Sequence, residues 1–264
     1  MQHHTRLGAL HTVRAGSAGP TVVLVHGFTQ TVASWDPVAQ SLSADHAVVV
    51  VDLPGHGGSG RRAPDLATTA GLVGQTGGRA VYVGYSLGGR VALRLALDRP
   101  ELVAGLVLLG ATAGIDDAEE RERRRRADHD LADRIEREGV AAFLDHWLAQ
   151  PLFAALQPTD ADRASRLGNS PAGLASSLRL AGTATMDPPW WADLHRITAP
   201  ALILAGEHDE RFAALGQRLA GGIGTSARYA TIADSGHAGH LEHPEVFAQV
   251  VRAFTGELRE PRPR

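Results

Sequence analysis

Gly84-Tyr85-Ser86-Leu87-Gly88 sets a serine between two glycines, at the end of an apolar run from Ala80 to Val83 and just ahead of a helical pattern at Val91, Leu93, Leu95 and Leu97. On a strand-to-helix turn of this kind the serine hydroxyl stands exposed at the top of a sheet, where it can act as nucleophile or base. The flanking glycines belong to the same geometry, because the turn is too tight for side chains at their positions. A serine hydroxyl is weak in both roles at neutral pH. It needs an imidazole to take its proton and a carboxylate to orient that imidazole. Two downstream stretches offer these groups. Gly206-Glu207-His208-Asp209 follows an apolar run, and Asp234-Ser235-Gly236-His237-Ala238-Gly239-His240-Leu241-Glu242-His243-Pro244 runs into a last helical pattern. The acid is therefore Asp209 or Glu207, and the base is His237, His240 or His243.

The composition narrows the chemistry. Cysteine is absent, which removes disulfides, thiolate zinc sites and cysteine nucleophiles. All 26 basic residues are arginine, so a lysine Schiff base and a lysine-bearing phosphate loop are both excluded. A net charge of -3 gives no global attraction to nucleic acid or to an anionic membrane. No 18-residue apolar run exists and the first residues lack an apolar export core, so the expectation is a soluble cytoplasmic protein. No cofactor and no metal is expected.

The elements that must position these groups are legible as apolar runs. Thr21 to Val25, Ala47 to Val51, Ala80 to Val83, Gly105 to Leu109 and Ala201 to Leu204 are rich in valine, leucine and isoleucine without polar alternation. Buried parallel strands read this way. Helical stretches between them predict one α/β domain over residues 1–264, built on a doubly wound, mostly parallel sheet. Functional groups of such sheets sit just past strand C-termini, which is where His26-Gly27-Phe28, Ser86 and Asp209 fall. Between residues 112 and 188 the strand pattern gives way to amphipathic helices, predicting a helical lid inserted over the sheet. The segment from Gly60 to Arg79 leaves room for only a short helix.

These motifs together resemble the α/β-hydrolase superfamily over nearly the whole chain. The matching elements are His26-Gly27-Phe28, Asp52-Leu53-Pro54-Gly55-His56-Gly57-Gly58-Ser59, the serine turn, Gly206-Glu207-His208-Asp209, and Gly236-His237 with Glu242 and Pro244. The order Ser, Asp, His is that of the superfamily. The resemblance implies a triad of Ser86, Asp209 and His237, with backbone N–H groups of Phe28 and Leu87 as an oxyanion hole. His26, His56 and Asp52 are expected to shape turns instead of moving protons.

A narrower resemblance is to the 2-succinyl-6-hydroxy-2,4-cyclohexadiene-1-carboxylate synthases of menaquinone biosynthesis. It rests on Val25 to Phe28 with Trp35, on Asp52 to Ser59, Gly84 to Arg90, the Glu/Arg run Ala118 to Arg126, Trp147 to Phe153, and Arg166-Leu167-Gly168-Asn169. Such an enzyme is a carbon-oxygen lyase that removes a ring proton and expels pyruvate from a succinyl-enolpyruvyl-hydroxycyclohexene-carboxylate. The same triad would also serve a carboxylesterase, lactonase or C–C bond hydrolase. Three carboxylates call for cations, and arginine binds them bidentately and stays charged. Arg90, one helical turn past Ser86, is on the same face as the serine. By the resemblance Arg124 and Arg166 join it in the lid, and Tyr85 and the Trp147 indole donate to substrate. Without it, Arg121 and Arg123 to Arg126 read as a solvated helix face. At 100° per residue at most one or two of them turn inward. The expected partner is a small polycarboxylate, met by a monomer or weak homodimer.

Overall fold

The computed structural model describes residues 3–7, 10–60 and 62–258. Its eight strands form one sheet: β1 (His3–Leu7), β2 (Leu10–Ala15), β3 (Thr21–Val25), β4 (Ala47–Val51), β5 (Ala80–Tyr85), β6 (Val103–Leu109), β7 (Ala201–Gly206) and β8 (Ala227–Ile232). The spatial order is β1-β2-β4-β3-β5-β6-β7-β8. Only the β1/β2 and β2/β4 pairs are antiparallel, and β3 through β8 run parallel.

Successive strand residues face opposite sides of a sheet, and here both sides are covered. Val23, Val25, Leu106, Leu108 and Ile203 point to one side. They meet α2 (Leu66–Gly77), α3 (Leu87–Asp98) and α7 (Glu210–Ile223). Val22, Leu24, Val107, Leu109 and Leu204 point to the other. That side carries α1 (Asp36–Leu42) and α9 (Pro244–Glu257), the latter preceded by the single turn α8 (Gly239–Glu242). Double burial is the reason these strands read as unbroken apolar runs.

Three helices, α4 (Ala118–Leu148), α5 (Asp160–Leu167) and α6 (Pro171–Ala181), lie between β6 and β7. Gly139, at φ 80°, breaks the helical backbone inside α4. Ala132, Ile135, Phe143 and Leu144 of α4 pack on Leu174, Ala175 and Leu178 of α6, giving this segment a small core of its own.

Two features differ from the sequence expectation. The helix before the elbow strand is not short: α2 spans 12 residues, opened by Asp65, whose carboxylate accepts the Thr68 N–H at 2.7 Å, and closed by Gly78 at φ 63°. Its glycines and threonines disguised a regular helix whose Leu66, Ala70 and Val73 face the core. Strands β2 and β8 carried no long apolar run, because β2 pairs antiparallel and β8 is an edge strand with only Ile232 fully buried.

The elbow depends on close backbone contact. A Cβ on Gly88 would lie 2.1 Å from the Val25 carbonyl oxygen, which is strand backbone and cannot yield. Gly88→Ala is therefore expected to destabilise the protein by about 3 kcal/mol in urea unfolding; a loss under about 1 kcal/mol would show that β3 and α3 can separate.

Candidate active site

Ser86 sits between β5 and α3 at φ 51° and ψ -106°, outside the regions L-residues prefer. Its N–H donates to the Leu109 carbonyl of β6 at 2.8 Å, and its own carbonyl accepts the Arg90 N–H at 3.1 Å. The serine is thus fixed by a neighbouring strand and by the first turn of its helix. Its side chain lines a cavity of about 1100 Å³ that also takes in His237, Tyr85, Phe28 and Leu87.

Asp209 and His237 come from adjacent parallel strands. Gly206 ends β7 so close to the loop after β8 that a Cβ there would lie 2.0 Å from the Gly236 carbonyl oxygen. Asp209 opens α7 and accepts the Phe212 N–H on Oδ1 at 3.2 Å, while its Oδ2 lies 2.6 Å from His237 Nδ1. Both side chains are buried. An ionised carboxylate only accepts, so His237 donates from Nδ1 and keeps Nε2 as acceptor. Glu242 secures the loop on both sides of the imidazole, accepting the Gly236 N–H at 2.5 Å and the Ala238 N–H at 3.1 Å. Phe212 and Tyr85 pack on the ring at centroid distances of 4.4 and 5.2 Å.

The rival acids and bases have other occupations. Glu207 is exposed and accepts the Asp234 N–H at 2.9 Å. With His208 and Asp234 it forms an exposed group whose ligand atoms fall within 4.8 Å of one another, outside the cavity lining. His243 meets the Asp234 carbonyl at 3.1 Å. His240 is wholly buried against Trp35 and Tyr85, and its Nε2 faces the Gln30 amide nitrogen at 3.3 Å.

The segment ahead of Phe28 is equally constrained. His26 donates from Nδ1 to the Gly27 carbonyl at 2.8 Å and accepts the Leu53 N–H on Nε2 at 3.0 Å. Gln30 accepts the Gly27 N–H at 2.9 Å, and Asn169 donates to the Thr29 carbonyl at 2.7 Å. Asp52 gathers three donors, the N–H groups of Val32 and Gly58 and His11 Nδ1, within 2.7 to 2.8 Å. Gln30 had no distinguishing signal in the sequence.

The cavity is rich in guanidinium groups. Arg90 is buried and donates to the Ala181 carbonyl at 2.7 Å. Burial and the nearby Arg124 push it down to about 10, so it stays charged at neutral pH. Arg124 pairs with Asp128, and Arg166 pairs with Asp162 while donating to the Thr29 hydroxyl at 2.6 Å. Of the arginine run, Arg123 and Arg124 reach the cavity, whereas Arg121 and Arg125 bond to Asp187. Arg211 and Arg218 of α7 also line it, and nothing in the sequence singled them out. Trp147 stacks beside Phe28 and Phe143, and its buried indole N–H has no hydrogen-bond partner among the described residues. Burial raises the Tyr85 phenol well above its ordinary range, so it remains a neutral donor.

Burial lowers three histidines: His56 to about 4, and His26 and His240 well below their ordinary value. Each is neutral when folded and takes up a proton near pH 6.5 when unfolded. Stability from these sites is fully present above pH 6.5 and falls as pH drops below it, by about 1.4 kcal/mol per pH unit for each site. Unfolding at pH 5.5 is expected to bind more than one proton; calorimetry showing none would contradict neutral burial.

Among known proteins, the chain is 35% identical over 250 residues to a 2-succinyl-6-hydroxy-2,4-cyclohexadiene-1-carboxylate synthase of Escherichia coli, covering 91% of this chain and 94% of that one. A synthase of the same name from Yersinia pestis is 34% identical over 248 residues, covering 91% and 89%. The solved structure of MenH from S. aureus superposes with a TM-score of 0.87 at 28% identity, over 96% of this chain and all of that one. Residues 22–250 match the model of the alpha/beta hydrolase family. With the elbow, the buried acid-base pair and the parallel sheet all in place, the chain belongs to the α/β-hydrolase family.

Proposed function

We propose that this protein is a serine-triad lyase that eliminates pyruvate from a succinyl-enolpyruvyl-hydroxycyclohexene-carboxylate, the step that its named relatives carry out in menaquinone biosynthesis. The observation that carries the reading is the company Ser86 keeps. Its cavity holds two buried arginines, Arg90 and Arg166, with Arg124 beside them. A pocket for neutral esters needs no such cations, and Arg90 is buried against a neutral partner, the Ala181 carbonyl, so that a substrate anion would repay its burial.

In this mechanism His237 accepts the Ser86 proton on Nε2 while Asp209 holds Nδ1–H, so the serine oxygen works as the base. It removes the ring proton. The electron pair from the broken C–H bond moves onto a substrate oxygen, facing the Phe28 and Leu87 N–H groups and the N-terminus of α3. Collapse of that charge breaks the C–O bond and releases enolpyruvate, which takes a proton to become pyruvate. No acyl-enzyme forms. Arg90, Arg124 and Arg166 receive the carboxylates, and Tyr85 and the unpartnered Trp147 indole donate to the remaining oxygens.

A monomer or weak homodimer acting on a small polycarboxylate completes the proposal. Among the described residues no helix is long and apolar enough to cross a membrane. A cytoplasmic site for this chemistry belongs to the same proposal, since a polyanionic intermediate does not cross membranes unaided.

Two measurements test the reading. Ser86→Ala and His237→Ala should each lower pyruvate release by a factor of about 10³ or more, and Asp209→Asn by less, because the triad acts as a unit; a mild His237→Ala would remove the imidazole from the mechanism. Arg90→Ala should lower kcat/KM for the tricarboxylate by about 30- to 1000-fold, equivalent to roughly 2 to 4 kcal/mol, while leaving hydrolysis of a small neutral ester nearly unchanged. Equal losses on both substrates would make Arg90 a structural anchor of α6 through Ala181.

A further inference from the structure

Two of the lid arginines at the cavity, Arg124 and Arg166, share one arrangement. On α4, Arg124 Nε donates to Asp128 Oδ1 at 2.8 Å, four residues away. On α5, Arg166 Nε donates to Asp162 Oδ2 at 2.7 Å, again four residues away. In each pair the second carboxylate oxygen, Asp128 Oδ2 or Asp162 Oδ1, is buried without a hydrogen-bond partner among the described residues. The aspartates are 2% and 8% exposed. A buried, half-satisfied carboxylate is costly, and a bidentate grip on the guanidinium would have satisfied both oxygens. Both pairs forgo it.

The geometry explains what the monodentate contact leaves open. A guanidinium has two edges that fit a carboxylate, the side edge carrying Nε and the end carrying Nη1 and Nη2. The aspartate takes the Nε side. The Nη end of Arg124 remains for a ligand, and Arg166 has its Nη2 beside the contact from Nη1 to Thr29. Asp128 lies against Gly182, where a Cβ would come 2.5 Å from Oδ2, so the glycine makes room for the carboxylate. Arg90 adds a second positive charge near Arg124. One carboxylate between two guanidiniums leaves a single positive charge in excess, which one substrate carboxylate would neutralise.

We propose that Asp128, and in the same way Asp162, is a positioning residue: each fixes an arginine by Nε so that the Nη end of Arg124, and Nη2 of Arg166, is presented to a substrate carboxylate. This rests on the polycarboxylate reading of the cavity. Charge alone argues the opposite way, since removing an aspartate leaves the site more positive and would tighten an anion.

That opposition makes the test decisive. Asp128→Asn and Asp162→Asn keep the shape and remove the charge that orients the guanidinium. Titration calorimetry with tricarballylate, a plain tricarboxylate, is expected to show binding to the unaltered protein and about tenfold weaker binding to either variant, with melting temperatures recording that both fold. With the pathway intermediate, KM should rise about tenfold while kcat stays within about twofold. Unchanged or tighter tricarballylate binding in the folded variants would overturn the proposal, as would no binding to the unaltered protein. The functional reading is judged separately: pyruvate release with an unmoved KM sinks the positioning role alone, whereas weakened tricarballylate binding without any pyruvate release sinks the lyase and keeps the carboxylate site.

Discussion

A single strained residue governs the arrangement of this molecule. Ser86 holds a positive φ at the point where the central strand β5 becomes α3, and L-residues adopt that conformation only when their surroundings impose it. Here β6 imposes it through the Leu109 carbonyl, and α3 imposes it through the Arg90 N–H. The helix must then press against β3 at Gly88. Once the serine is held there, its partners have to arrive from strands on one side of the sheet. The parallel order β5-β6-β7-β8 delivers Asp209 and His237 at the same C-terminal edge.

The acid and base illustrate how much of a triad is backbone work. Asp209 spends one oxygen capping α7 and the other on the imidazole, so the helix start and the catalytic pair share one side chain. Glu242 clamps the two amides that flank His237, and aromatic rings close round the imidazole. On the opposite wall, Asp52 and the neutral His26 hold the turn leading to Phe28. Burial keeps His26, His56 and His240 uncharged, which lets three imidazoles sit near the site as packing and hydrogen-bonding groups without competing for the serine proton.

The electrostatics of the cavity follow a different logic from those of the surface. Outside, arginines pair with exposed carboxylates along helix faces, as Arg134 does with Glu138, and such pairs contribute little. Inside, Arg90 and Arg166 are buried, and their neighbours satisfy only part of their hydrogen-bonding capacity. Both side chains line the cavity that holds the serine. In a chain of net negative charge, six arginines and four carboxylates line this one cavity.

Much of this was legible in the residues themselves. Five strands could be read because burial on both faces demands unbroken apolar runs, and Ser86 could be read because its turn admits only glycine two positions to either side. Asp209 and His237 were legible as members of short sets, and the family resemblance chose between them. Other features were not legible. Strand β8 is half exposed and α2 is rich in glycine and threonine, so neither satisfies a simple periodic pattern. Which arginines of the run after Ala118 face inward was undetermined, since neighbouring helical positions point about 100° apart and composition carries no direction. Only the tertiary structure decided that Arg124 turns to Asp128 and the cavity while Arg121 and Arg125 turn to Asp187, because that choice depends on where α4 lies against α6 and the sheet. Sequence alone determined the chemistry available to the chain; packing of the helical insertion decided which of its charges line the serine's cavity.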